Sequence, residues 1–191
     1  RDETRLDARI RAWREAGFDV DGLALDVSHP EAPGRLADWA SQSGGALHIL
    51  VNNVGTNVRK PTVEIRPEER DRVLGVNLTA AFELCRALYP ALAAADDASI
   101  VNISSVAGAT SVGTGAPYAM SKAALEQLTR YLAVEWAPAR IRVNAVAPWY
   151  IRTPLVAPVL ADASRLALIL SRTPLGRTVW RSKALACSAR R

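Results

Sequence analysis

The alternation of helix-length patterns with short apolar strands constrains this chain most. Residues 47–51 form a run that is apolar except for His48, and residues 99–103 and 141–146 are the next strand-like runs. A run of the first kind suits a strand buried on both faces. Each run is separated from the next by a stretch with helical periodicity, too long for a hairpin. Strands joined through helices lie parallel, so the order predicts an open α/β sheet with helices on both faces.

The remaining elements fit that frame. Residues 3–16 predict a helix, with Leu6, Ile10 and Trp13 on one stripe and Gly17 placed to end it. Residues 18–27 predict a strand closing on Asp26-Val27. Residues 30–43 are helical, with Leu36, Trp39 and Ala40 on one side. A long helix starts near Pro67 and runs over 68–92, carrying Asn77 among apolar positions. Residues 117–137 form the clearest helix, and 154–171 predict one helix or two.

In open parallel sheets the ligand sits beyond the carboxyl ends of the strands. The polar signatures of this chain fall there: Asp26, Asn52-Asn53, Ser104-Ser105 and the turn at Pro148. Tyr118 and Lys122 are four residues apart on the clearest helix, so they share a face. A free tyrosine loses its proton only near about pH 10, and a neighbouring ammonium stabilises the phenolate. The pair is a candidate proton donor with a charged helper. Ser105 lies at a strand end that should face the start of this helix, where a hydroxyl can bond a carbonyl oxygen. Ser104-Ser105 also suits a strand-end turn, and each serine can take one role. The Asn77 amide can bond a backbone carbonyl or hold a water behind Lys122. Asn52-Asn53-Val54-Gly55 closes a strand with residues that tolerate turns and admit a close ligand. Asp26 can bond an adenine amine or cap the next turn.

Charge and composition exclude other classes. The net charge is +5, and residues 177–191 supply all of it through Arg177, Arg181, Lys183, Arg190 and Arg191. The excess is a tail and not a basic face, so no nucleic-acid partner is expected. No apolar run is long enough to span a membrane. Cys85 and Cys187 form no CxxC pair and no metal cluster with His29 and His48, so no metal is expected. Two unpaired cysteines suit a reduced, cytoplasmic protein.

Taken together, Asp26-Val27, Asn52-Asn53-Val54-Gly55, Asn77, Ser105, Tyr118-x-x-x-Lys122 and the stretch from Ile141 to Pro148 resemble the short-chain dehydrogenases/reductases in order and spacing. Residues 52–62 and 147–154 resemble the tropinone reductase-like subgroup, which shares Trp149. The resemblance covers roughly residues 1–177. It implies a Rossmann-type, doubly wound parallel sheet and NADP(H)-dependent reduction of a ketone to a secondary alcohol. Tyr118 would be the acid or base, and Lys122 would assist it and bond the nicotinamide ribose. Ser105 would polarise the substrate carbonyl, and Asn77 would hold a relay water. Asp26 and Val27 would contact adenine, and Asn53 and Gly55 the adenosine side. Pro148, Ile151 and Thr153 would lie along the nicotinamide. Arg1 resembles the arginine that pairs with the 2′-phosphate, which favours NADP over NAD. The resemblance further implies a homodimer or homotetramer built on the two long helices.

The family's first strand, glycine-rich phosphate loop and following helix would precede Arg1, and its closing strand is not recognisable. Residues 1–176 are therefore expected to be an incomplete dinucleotide-binding domain, and 177–191 a disordered basic tail. The alternative reading is a catalytically inactive fragment or paralogue that acts only by dimerising with a relative.

Overall fold

The computed structural model describes residues 2–42 and 44–178. Arg1 and the tail from residue 179 onward lie outside the described residues. The chain divides into two compact units, Arg1–Val146 and Ala147–Arg191.

The first unit is α/β. It begins with helix α1, Glu3–Glu15, capped by the Asp2 carboxylate, which accepts from the Arg5 N–H at 3.0 Å. Helix α2 is Ala32–Gln42 and strand β1 is Ile49–Asn52. The long helix expected from Pro67 forms as α3, Pro67–Leu74, and α4, Ala80–Ala93, joined by one π-helical turn over Gly75–Thr79. Strand β2, Ala98–Ile103, helix α5, Ala116–Glu135, and strand β3, Ile141–Val146, complete the unit.

The ladders joining the described strands are parallel, in the order β1-β2-β3. Asn52 registers with Asn102, and Ile103 with Val146, so the three carboxyl ends share one edge. The core lies on one face of the sheet. It joins Cys85, Leu88 and Leu92 of α4 to Ile100 of β2, Leu132 of α5, and Ile141 and Val143 of β3. Each such aliphatic side chain contributes about 1.5–3 kcal/mol on burial.

Two strand expectations are corrected. Residues 18–27 form no strand. A strand exists only through a neighbour's ladder, and none of the described residues supplies one here. Residues 47–51 are not buried on both faces: Ile49 is 63% exposed and Val51 53%. Among the described residues β1 pairs with β2 alone, which leaves its other edge open, and only the side carrying Leu50 and Asn52 meets the core.

A buried polar chain ties the layers together. Asn52 Nδ2 donates to Asn102 Oδ1 at 2.9 Å and to Cys85 Sγ at 3.3 Å. Asn102 Nδ2 donates in turn to Thr129 Oγ1 of α5 at 2.9 Å. Burial pushes the Cys85 thiol up to about 11, against the opposing bond from Asn52.

The second unit carries two helices, α6, Ala157–Ala161, and α7, Ala163–Ser171. Asp162 separates them and caps α7 by accepting from the Ser164 and Arg165 N–H groups. Trp149 donates its indole N–H to Thr173 Oγ1 at 2.9 Å, which fastens the ring within this unit. No helix among the described residues is long and apolar enough to cross a membrane.

Candidate active site

Lys122 stands at the centre of the arrangement. It is 4% exposed and its Nζ donates to the Ile103 carbonyl at 2.6 Å, at the end of β2. Nζ lies 5.7 Å from the centre of the Tyr118 ring, one turn back on α5. Burial pulls the Lys122 amine down from its ordinary 10.5 to about 8. Among the described residues no carboxylate pairs with it, so its charge faces the phenol and the sheet edge.

Asn77 sits in the π turn and is buried. Such turns widen a helix locally and frequently accompany functional sites. Its Oδ1 accepts from the Thr56 N–H at 2.8 Å, and its Nδ2 donates to the Thr56 carbonyl and to Ser121 Oγ, both at 3.0 Å. Ser121 Oγ donates to the Tyr118 carbonyl at 2.7 Å. Of the roles open to this amide, bonding a backbone carbonyl is the one realised. The bonds pin the loop after β1 to the helix that carries Tyr118 and Lys122.

That pinning brings Gly55 onto Lys122. A Cβ built on Gly55 would lie 3.9 Å from Lys122 Nζ and 3.6 Å from Asn77 Oδ1. With no side chain, Gly55 keeps the backbone there clear of the ammonium and of the Asn77 amide.

The two serines take separate roles. Ser104 is buried, with Oγ donating to Glu126 Oε1 at 2.8 Å and lying 3.3 Å from the Lys122 carbonyl. It fastens the end of β2 to α5. Ser105 is half-buried and caps the short turn Val106–Gly108, its Oγ accepting from the Ala107 N–H at 3.2 Å. Its hydroxyl hydrogen has no acceptor among the described residues, so it is available to a substrate oxygen.

Gly55, Asn77, Tyr118 and Lys122 thus converge, with Ser105 two residues beyond the carbonyl that holds Lys122. Asp26 lies elsewhere in this unit. Its Oδ1 accepts from the Ser28 N–H at 3.1 Å and the Ser28 hydroxyl at 2.7 Å, which is the turn-capping role. Val27 beside it is half-buried, and Asn53 is exposed next to Asn52. Pro148, Ile151 and Thr153 belong to the second unit, and Arg1 lies outside the described residues. Nothing in the sequence pattern singled out Thr56, Ser121 or Glu126. Ser121 had one available signal, a hydroxyl beside Lys122 inside the Tyr118-x-x-x-Lys122 span.

The chain matches, over residues 1–189, the family whose description is Enoyl-(Acyl carrier protein) reductase. It is 46% identical over 178 residues to a tropinone reductase homologue of Arabidopsis thaliana, covering 93% of this chain and 67% of that protein. It is 43% identical to senescence-associated protein 13 of the same plant, covering 93% of this chain and 66% of that protein. Among solved structures it superposes on a gluconate 5-dehydrogenase from Burkholderia cenocepacia, in complex with NADP and tartrate. That match has a TM-score of 0.89 and 32% identity, over 94% of this chain and 71% of that one.

Proposed function

Because the chain belongs to the short-chain dehydrogenase/reductase family of oxidoreductases, we propose that it carries the site of an NADP(H)-dependent reductase, converting a ketone to a secondary alcohol. The observation that carries this reading is the buried Lys122 ammonium, 5.7 Å from the Tyr118 ring and beside Gly55, which has no side chain to block it. The similarity to a tropinone reductase homologue supports a ketone substrate, and the NADP-bound structural relative supports the phosphorylated cofactor.

The residues fit a nicotinamide nucleotide. The uncluttered backbone at Gly55 admits a flat, ribose-bearing group, and Lys122 offers a donor to ribose hydroxyls. Asp26, Val27 and Asn53 would lie toward the adenosine end. Pro148, Ile151 and Thr153 would line the nicotinamide, and Arg1 would meet the 2′-phosphate. When bound, the reduced nicotinamide supplies the hydride. The protein's own residues manage the oxygen and the proton. Ser105 donates its free hydroxyl hydrogen to the substrate carbonyl oxygen, which polarises the bond. Tyr118 gives its phenolic proton to that oxygen as negative charge develops there. The Lys122 ammonium stabilises the phenolate left behind. Asn77, in the π turn near Lys122, would hold the relay water that returns a proton through the Lys122 amine.

Two measurements test the reading. Loss of reduced-nicotinamide absorbance is followed with cyclic and aromatic ketones, and NADPH binding is titrated by fluorescence. Gly55→Val is expected to leave the melting temperature unchanged, because Gly55 is exposed and its Cβ meets only ordinary contacts. It should weaken NADPH binding by about tenfold or more, equivalent to about 1.4 kcal/mol. Equal NADPH affinity in both proteins would remove the cofactor from this space.

Self-association belongs to the same reading. Phe82 on α4 and Met120, Tyr131 and Val134 on α5 are large apolar side chains exposed on the two long helices. A dimer packed on these helices would cover them. Sedimentation is expected to show a dimer or tetramer, and Tyr131→Glu a monomer. A monomeric unmodified chain at assay concentration would overturn this. A reduced, cytoplasmic compartment suits the buried, unpaired thiol of Cys85.

A further inference from the structure

Residues 55–58, after β1, touch the site at four consecutive positions. Gly55 lies beside the Lys122 ammonium, and Thr56 is held by Asn77. Asn57 Nδ2 donates to Thr114 Oγ1 at 3.1 Å. Val58, buried, lies against Gly115, where a Cβ would run into the Val58 carbonyl oxygen. Gly115 caps α5 with φ +101°, a conformation other residues rarely adopt, and Tyr118 follows three residues later.

Asn57 carries a second oddity. Its Oδ1 is buried and has no hydrogen-bond partner among the described residues. Buried amides are normally satisfied, and an unpaired acceptor lowers stability. The Asn57 Nδ2 bond goes to the residue before the α5 cap, and so to the turn that sets where Tyr118 stands.

We propose that Asn57 is a positioning residue. Through Thr114 it clamps the first turn of α5 to the loop after β1, and so sets the Tyr118 hydroxyl relative to Lys122 and the space at Gly55. The proposal rests on Tyr118 being the proton donor.

The test uses the full chain labelled with 13C at tyrosine Cζ, with the Tyr118 signal assigned by its loss in Tyr118→Phe. Asn57→Ala is expected to move or broaden the Tyr118 signal while those of Tyr89 and Tyr131 stay in place. Thr114→Val should do the same, and Thr114→Ser, which keeps the hydroxyl, should restore the original signal. In turnover, Asn57→Ala should lower kcat about tenfold to a hundredfold, the cost of a small misplacement at the reacting centre. KM for NADPH should stay within about twofold, because the interaction acts on the chemical step. The Asn57→Ala, Thr114→Val double variant should be no worse than either single one, since the pair acts as a unit. An unmoved Tyr118 signal in Asn57→Ala overturns the proposal. So does a kcat loss that Thr114→Val does not reproduce. If the unmodified chain and Tyr118→Phe turn over ketones equally, the reductase reading fails instead, and the spectrum still decides the clamp.

Discussion

Tyr118→Phe is expected to lower kcat by about a hundredfold to ten-thousandfold, the range a positioned acid or base contributes, while leaving NADPH affinity nearly intact. The expectation follows from what the ring touches. Tyr118 is half-buried, its main chain is held by Ser121, and its hydroxyl has no hydrogen-bond partner among the described residues. Removing that oxygen breaks no bond of the fold. The Lys122 amine keeps its bond to the Ile103 carbonyl, and Gly55 keeps its place. Melting temperature should therefore stay close to that of the unmodified chain, and the loss should fall on kcat alone. Stopped turnover with normal NADPH binding is the signature. Turnover at the original rate would remove Tyr118 from proton transfer.

Lys122→Met is expected to separate stability from activity through pH. Burial lowers the folded Lys122 value to about 8 from its ordinary 10.5. Between those values the unfolded chain holds a proton that the folded chain has released, so stability rises with pH. Cys85 acts in the opposite sense. Its folded value is raised from 9.0 to about 11, so between those values the folded chain keeps a proton the unfolded chain has lost, and stability falls. The two contributions nearly offset above pH 9, which leaves a window between about 8 and 9 where Lys122 dominates. There the unfolding free energy should climb by about 1 kcal/mol. Lys122→Met should abolish that rise. At pH 7 the variant gains by removing a buried charge, on the order of 3 kcal/mol. It loses about 1–3 kcal/mol by orphaning the Ile103 carbonyl, so its net stability should change little. Its turnover should nonetheless fall about a hundredfold or more. In the unmodified chain kcat/KM should turn down as pH passes about 8 and the ammonium is lost. Denaturant titrations across that interval check the first result. A rise that persists in Lys122→Met assigns it to another group.

What the sequence made legible was whatever repeats locally. The i, i+4 spacing of Tyr118 and Lys122, the long helix through Asn77 and the strand at residues 141–146 are set by short-range periodicity and appear where expected. The misreadings concern neighbours. An apolar run does not say which of its faces will be covered, so Ile49 and Val51 looked buried and are exposed. Residues 18–27 have strand composition, but composition cannot supply the ladder partner a strand needs. The site divides along the same line. The residues with distinctive chemistry, Tyr118, Lys122 and Ser105, stood out by type and spacing. Thr56, Asn57, Thr114 and Glu126 act through contacts 21 to 57 positions away in the chain, which no pattern along it reveals. The π turn at Asn77 was likewise invisible, because its composition is that of an ordinary helix.

The parallel register described above also governs the order in which this protein can fold. Ile49 pairs with Ser99 and Ala98 with Ile141, partners 50 and 43 positions apart in the chain. Closing loops of that length costs about 3 kcal/mol each in chain entropy before any ladder bond repays it. Helix α5 needs no such closure, so the Tyr118–Lys122 spacing can form while the sheet is still open. The carbonyl that receives Lys122, and the loop that brings Gly55 over it, arrive only with the long-range pairing. High contact order makes that the slow event. The Tyr118–Lys122 turn is therefore expected to be among the first parts of the molecule to take shape, and its surroundings among the last.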